Sequence, residues 1–322
     1  FVVVWQSQQD GSGYGIYGQR FDANGAALGS EFKVGTRAYD EQQGPAVVVL
    51  GGGDFVVVWH SLNQDGSGWG VYGQIVAPDG MPVGGEFQAN TTTISNQLAS
   101  DVTALSNGGF VVTWASNQVG GANYNIYGQL YSANGAPVGG EFEINTTQNG
   151  LHDQPVVTGL AGGGFVVAWD APKANPDVPG EDGVFGQIYD ASGHPVGGEF
   201  ELNTATSSTQ INPSIAALHN GGFVAVWQSQ PNDPINPISA SAQDGWGGGI
   251  VMQQFDATGN KVGPEAIVNT QWTFFDQLNP SVATLQDGSY VVTWQSLFDH
   301  NSDTWVVRSE EHTSELQSHS FI

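Results

Sequence analysis

Phe1-Val2-Val3-Val4-Trp5 opens the chain and returns five times, as Phe55 to Trp59, Phe110 to Trp114, Phe165 to Trp169, Phe223 to Trp227 and Tyr290 to Trp294. The tryptophans are 54, 55, 55, 58 and 67 residues apart, so a unit of about 55 residues is repeated, a period typical of solenoids and propellers. Each copy is apolar on both parities. Such a segment reads as a strand covered on both faces rather than one with a wet side.

The second copy shows the rest of the unit. Pro45-Ala-Val-Val-Val-Leu50 is a β-branched run, and Gly51-Gly-Gly-Asp54 is a tight turn into Phe55 to Trp59. The loop His60-Ser-Leu-Asn-Gln-Asp-Gly-Ser-Gly68 leads to a third strand, Gly70 to Val76. Ala77-Pro-Asp-Gly80 turns into a fourth, Glu86 to Asn90. Its counterparts Asp22-Ala-Asn-Gly25, Asp190-Ala-Ser-Gly193 and Asp256-Ala-Thr-Gly259 place Asp first and Gly fourth, as type I turns prefer. Four short antiparallel strands without helical periodicity make a propeller blade. A β-solenoid has shorter coils, and an immunoglobulin-like sandwich needs about seven strands. The expectation is an all-β chain: a β-propeller-like ring or arc of four-stranded antiparallel blades, about five to six of them over residues 1–307, truncated at both ends. The tryptophans should anchor blade to blade.

The 322 residues include 39% hydrophobic and only 11% charged side chains, with ten Trp, nine Tyr and sixteen Phe to fill a core. A formal charge of −25 repels phosphate backbones, so nucleic acid is excluded as a partner and cations are the natural counterpart. No cysteine is present, which removes disulfides and thiolate metal sites. No apolar run reaches the roughly 18 residues of a membrane span, so no membrane insertion is expected. The first residue falls inside a repeat, as at a cut end. At the other end, Arg308-Ser-Glu-Glu-His-Thr-Ser-Glu-Leu-Gln-Ser-His319 breaks the repeat and resembles a translated sequencing adapter. Residues 308–322 are therefore set apart from the repeat domain as a non-native tail.

Candidate chemistry collects where strand two passes to strand three and where one blade passes to the next, because both connections emerge on one face. The first kind reads Gln9-Asp-Gly-Ser-Gly-Tyr-Gly15, Gln64-Asp-Gly-Ser-Gly-Trp-Gly70 and Gln243-Asp-Gly-Trp-Gly-Gly-Gly249. The second kind adds Asp40, Glu41, Asp153 and Asp276. Asp10, Asp65 and Asp244 are candidate calcium ligands, since hard cations want carboxylates, hydroxyls and carbonyls. Each loop supplies one carboxylate only, and Asp-Gly also serves plain turn geometry. Tyr14, Trp69, Tyr124 and Trp246 lie at or near the ends of these loops and are candidate platforms for a sugar.

Catalytic signatures are missing. Sialidase-like propellers hold a carboxylate with an arginine cluster, and outside the tail only Arg20 and Arg37 exist. There is no Gly-x-Ser-x-Gly elbow and no His-Glu-x-x-His pair. Glu141 with Glu143, and Glu199 with Glu201, share a strand face and read as solvated pairs. No catalytic residue is expected.

The motifs Gly-Gly-Phe-Val-Val-x-Trp, Gln-Asp-Gly-Ser-Gly, Tyr-Gly-Gln-x-Phe-Asp and Val-Gly-Gly-Glu-Phe-x-x-Asn-Thr resemble repeats of large secreted bacterial proteins of the calcium-binding, hemolysin-type and adhesin-like class. The resemblance covers residues 1–307. It implies an extracellular or cell-surface location and a structural or adhesive role. Calcium in that class belongs to glycine-rich nonapeptide arrays, of which none occurs here. The expectation is a non-catalytic module that binds a surface glycan or protein, or acts as a spacer. The alternative is a lectin-like or carbohydrate-active propeller using the loop face.

Overall fold

The computed structural model describes all residues except 10, 12, 38–40, 119, 121–122, 149, 174–181, 206–207, 231–247, 271–275, 300–303 and 313–322. Among the described residues the chain is all-β, a β-propeller of six antiparallel sheets. The sheets order as β1-β2-β3, β4-β5-β6-β7, β11-β10-β9-β8, β12-β13-β14-β15, β16-β17-β18-β19 and β20-β21-β22. The chain forms two compact units, Phe1–Gly159 and Leu160–Ile322.

Unit 1 holds β1 (Val2–Ser7), β2 (Gly15–Phe21), β3 (Ala27–Lys33), β4 (Gln42–Val49), β5 (Phe55–Leu62), β6 (Trp69–Val76), β7 (Pro82–Gln88), β8 (Gln97–Ala104), β9 (Phe110–Ser116), β10 (Asn125–Tyr131), β11 (Pro137–Glu143) and β12 (Asp153–Gly159). Its core explains the double parity. Phe55, Val57 and Trp59 pack with Ile16 and Val34 of the sheet before. Val56 and Val58 pack with Val102, Val112 and Trp114 of the sheet after. Fully burying each such side chain is worth about 1.5–3 kcal/mol. Trp59 and Trp114 are fully buried, whereas Trp5 is half-buried on β1, the edge of its sheet.

Unit 2 holds β13 (Phe165–Pro172), β14 (Asp182–Tyr189), β15 (Pro195–Glu201), β16 (Thr209–Ala217), β17 (Phe223–Gln230), β18 (Gly249–Phe255), β19 (Lys261–Ile267), β20 (Gln277–Thr284), β21 (Tyr290–Asp299) and β22 (Thr304–His312). Val224, Val226, Val292 and Trp294 share one core cluster. The Trp227 and Trp294 indoles donate to Gln210 Oε1 (2.7 Å) and Gln277 Oε1 (2.8 Å), which satisfies two buried N–H groups. β22 supplies a third strand to the last sheet, pairing Trp294 with Arg308, and it takes in residues Arg308–His312.

Other repeated letters cap backbone. Asn90 and Asn145 accept the Val71 and Ile126 N–H groups, and Asn203 and Asn269 do the same for Val184 and Ile250. Gln74, Gln129, Gln187 and Gln253 donate across a bulge to the outer strand. Glu141 takes the Thr91 N–H (2.7 Å) and hydroxyl (3.0 Å), so it ties one sheet to the one before rather than standing solvated. Asp22 and Asp256 fold their turns as expected, each Oδ1 accepting two backbone N–H groups.

Two boundaries differ from the sequence reading. The first strand of the second repeat starts at Gln42, not Pro45, because a bulge between Gln43 and Ala46 absorbs the proline. The fourth strand starts at Pro82 rather than Glu86, since Gly84 at φ 73° carries the irregular register that the flanking glycines permit.

Candidate functional site

The innermost strands share one device. Gly44, Ala99, Gln154, Asn212 and Asn279 occupy equivalent places near the starts of β4, β8, β12, β16 and β20, and all have φ between 51° and 61°. Four are not glycine, and a left-handed alanine or glutamine stores backbone strain, a feature concentrated at functional sites. Register places these bulges beside the loop from strand two to strand three, since Gln42 pairs with Ser61 and Ser61 with Gly70.

In unit 1 this side carries a continuous row of polar and aromatic groups. The Tyr14 N–H donates to Glu41 Oε2 (3.3 Å), and its carbonyl accepts the Gln42 N–H (2.8 Å). The Gly44 N–H donates to Gln6 Oε1 (2.9 Å). Next to Gly44 lies His60, whose ring meets Trp69 edge-on at 5.0 Å. Burial lowers the His60 pKa to about 4, so the imidazole is neutral at pH 7, and its Nδ1 is buried with no hydrogen-bond partner.

Asn96 then joins two of the candidate rings. Its Oδ1 accepts the Trp69 N–H (3.2 Å), and its Nδ2 donates to Tyr124 Oη (3.5 Å). The Tyr124 carbonyl accepts the His152 N–H (3.0 Å), which leads directly into Asp153 at the start of β12. Tyr14, Trp69 and Tyr124 are each half-buried, with part of each residue open to solvent.

Two carboxylates lie on adjoining inner strands. Asp101 on β8 accepts the Val102 N–H through Oδ1 (2.9 Å) and the Val157 N–H of β12 through Oδ2 (2.8 Å). It keeps some accessible surface, yet protein crowds the carboxyl closely enough for desolvation to raise its pKa to about 6 against these two bonds. Asp153, whose Oδ1 accepts the Gln154 N–H (2.8 Å), is also raised by desolvation. Asp101 escaped the sequence reading. Its signal was a carboxylate in Gln97-Leu-Ala-Ser-Asp101 where the second repeat has Ala46.

Of the calcium candidates, Asp65 is occupied within its own blade. Its Oδ1 accepts the Ser67 N–H (3.0 Å) and its Oδ2 the Gln88 amide (3.1 Å). Asp10 and Asp244 lie outside the described residues, as do Trp246 and Asp40. Among the described residues no group of three or more metal-ligating side chains gathers, so calcium gains no support. Asp276 Oδ1 in unit 2 accepts the Gly248 N–H (3.1 Å).

No protein-family model matches the sequence, and no curated protein does. Solved structures do. A protein of unknown function from Dyadobacter fermentans aligns at TM-score 0.62 and 10% identity, over 96% of this chain and 90% of that one. An α-L-arabinofuranosidase from Fusarium graminearum, in complex with an iminosugar inhibitor, aligns at 0.60 and 10%, over 97% and 89%. An α-L-arabinanase from Penicillium chrysogenum, complexed with arabinobiose, aligns at 0.55 and 12%, over 83% and 77%.

At such identities the likeness establishes the architecture. It also corrects the expectations of a non-catalytic, adhesin-like or spacer module and of no enzymatic role, because glycoside hydrolases use this architecture along nearly the whole chain. The physical reason is that a propeller assembles its chemistry from single residues on separate strands. The lack of a contiguous catalytic motif was therefore weak evidence. The chain is thus similar to propeller glycosidases in fold, and the alternative of a carbohydrate-directed propeller fits it better.

Proposed function

We propose that this chain is a carbohydrate-active propeller that binds a glycan on the loop side of unit 1 and hydrolyses glycosidic bonds there. The observation that supports it is the row from Tyr14 to Asp153. It sets three partly exposed rings in line with Asp153, a carboxyl of raised pKa, and the adjoining strand β8 carries a second, Asp101. Flat rings with polar neighbours stack on sugar faces, while hydroxyls bond to Glu41, Asn96 and Asp153. Glycoside hydrolysis needs one carboxyl that holds a proton for the leaving oxygen and a second that acts as base or nucleophile. Asp101, lifted to about 6, is suited to hold the proton. Asp153, at the entrance of the next strand, is suited to the second task. The solved arabinofuranosidase and arabinanase relatives make arabinose-containing glycans the first to try.

The test is release of reducing ends from arabinan and arabino-oligosaccharides. Asp153→Asn should lower the rate about 10²–10⁴-fold with an unchanged circular dichroism spectrum. Failure of the intact chain to cleave any glycan in a broad panel would sink the reading.

A further inference from the structure

We infer that this face, on the carbohydrate-directed reading above, selects uncharged glycans and rejects sugars bearing carboxylate or sulfate. The chain has six Lys and Arg residues, and each is placed. Arg20 donates to the Pro78 carbonyl, and Lys33 sits 5.9 Å over the Tyr17 ring. Lys261 donates to the Asn203 carbonyl (2.9 Å), and Arg308 lies within β22 opposite Trp294.

Only Arg37 and Lys173 lie in loop-side connections, one in each unit. Arg37 donates to the Gln64 carbonyl (3.1 Å), and Lys173 pairs with Glu201 at 3.5 Å. Holding an anionic sugar takes a bidentate guanidinium or a cluster of them, and no two arginines gather on this side.

The field is also of the wrong sign for an anion. Unit 1 has thirteen acidic residues against three basic ones, and Glu41, Asp65, Asp101 and Asp153 all lie in its loop-side connections and inner strands. The His60 ring beside Trp69 adds no positive charge, since burial holds it neutral. Like charges facing each other across a partly desolvated site cost far more than in open water.

The experiment is isothermal titration of the intact chain with three probes: a neutral arabino-oligosaccharide, an oligogalacturonate of similar length and sialyllactose. At low salt the neutral sugar should bind at least tenfold more tightly than either anion. That gap should shrink at 1 M salt, where the screening length falls to about 3 Å. It should shrink again in Glu41→Gln/Asp153→Asn, checked for folding. Equal or tighter binding of an anionic sugar, or a gap indifferent to salt, overturns the inference while leaving glycan binding intact. Binding of none of the three overturns the inference, while the broad cleavage panel decides the glycan reading separately.

Discussion

A carboxylate on an innermost strand must be solvated by the protein, and Asp101 is solvated by two backbone N–H groups from two strands. That incomplete solvation gives the fold a pH dependence with a definite sign. The Asp101 pKa rises from 3.8 to about 6, so its contribution is fully present below pH 4 and is lost as pH rises through about 6. His60 acts in the opposite sense. Its pKa falls from 6.5 to about 4, so its contribution is present above 6.5 and lost as pH falls toward 4. Urea midpoints measured from pH 4 to 7 should therefore separate under mutation. Asp101→Asn should remove the decline between pH 4 and 6, and His60→Gln should remove the acid-side loss. Superimposable profiles would contradict both assignments. Trp114, fully buried between two sheets, should cost about 3–5 kcal/mol when cut to Ala, read from the same denaturation curves.

At the level of the strand and its turns, two substitutions separate packing from strain. A Cβ on Gly109 would meet the Tyr131 carbonyl, as one on Gly164 or Gly222 would meet Tyr189 or Phe255. The Gly-Gly-Phe spelling is therefore a clearance requirement, and Gly109→Ala should destabilise by about 1–3 kcal/mol. Ala99 poses the converse case, since its left-handed φ of 53° strains an L residue. Ala99→Gly should hold or raise stability by up to about 1 kcal/mol, and a clear loss in thermal melts would remove strain from the account. The blade itself was legible in the sequence, because the Phe-Val-Val-x-Trp segment is apolar on both parities for a reason the cores show. Tyr14, Trp69 and Tyr124 stand out in the sequence as recurring aromatics at loop ends. What could not be read was their joining. Asn96 lies 27 residues from Trp69 and 28 from Tyr124, and only strand register brings the three together. The bulges were hidden for a similar reason: Gly, Ala, Gln and Asn share no spelling, only a backbone conformation.

For the molecule as a whole, repetition and function pull in different directions. Within each unit, repeats build nearly identical sheets, capped internally by Asn and packed together through tryptophans and glutamate ties, and a sequence dominated by such repeats reads as structural. On the proposed reading, function sits in the departures: Asp101 where another copy has Ala46, His60 where the first has Gln6, Asn96 and Asp153 in connections of otherwise common plan. That is why the architecture could be read from the repeat while the proposed activity could not, and why a fold shared with glycosidases corrects the expectation of an inert module. The most direct measurement is a crystal structure of the chain soaked with arabinobiose. Sugar density is expected on the loop side of unit 1, stacked against Trp69 or Tyr124 and within hydrogen-bond reach of Asn96 or Asp153. Sugar seated instead on the outer strands or among the Asp-x-x-Gly turns, with the loop side bare, would contradict it.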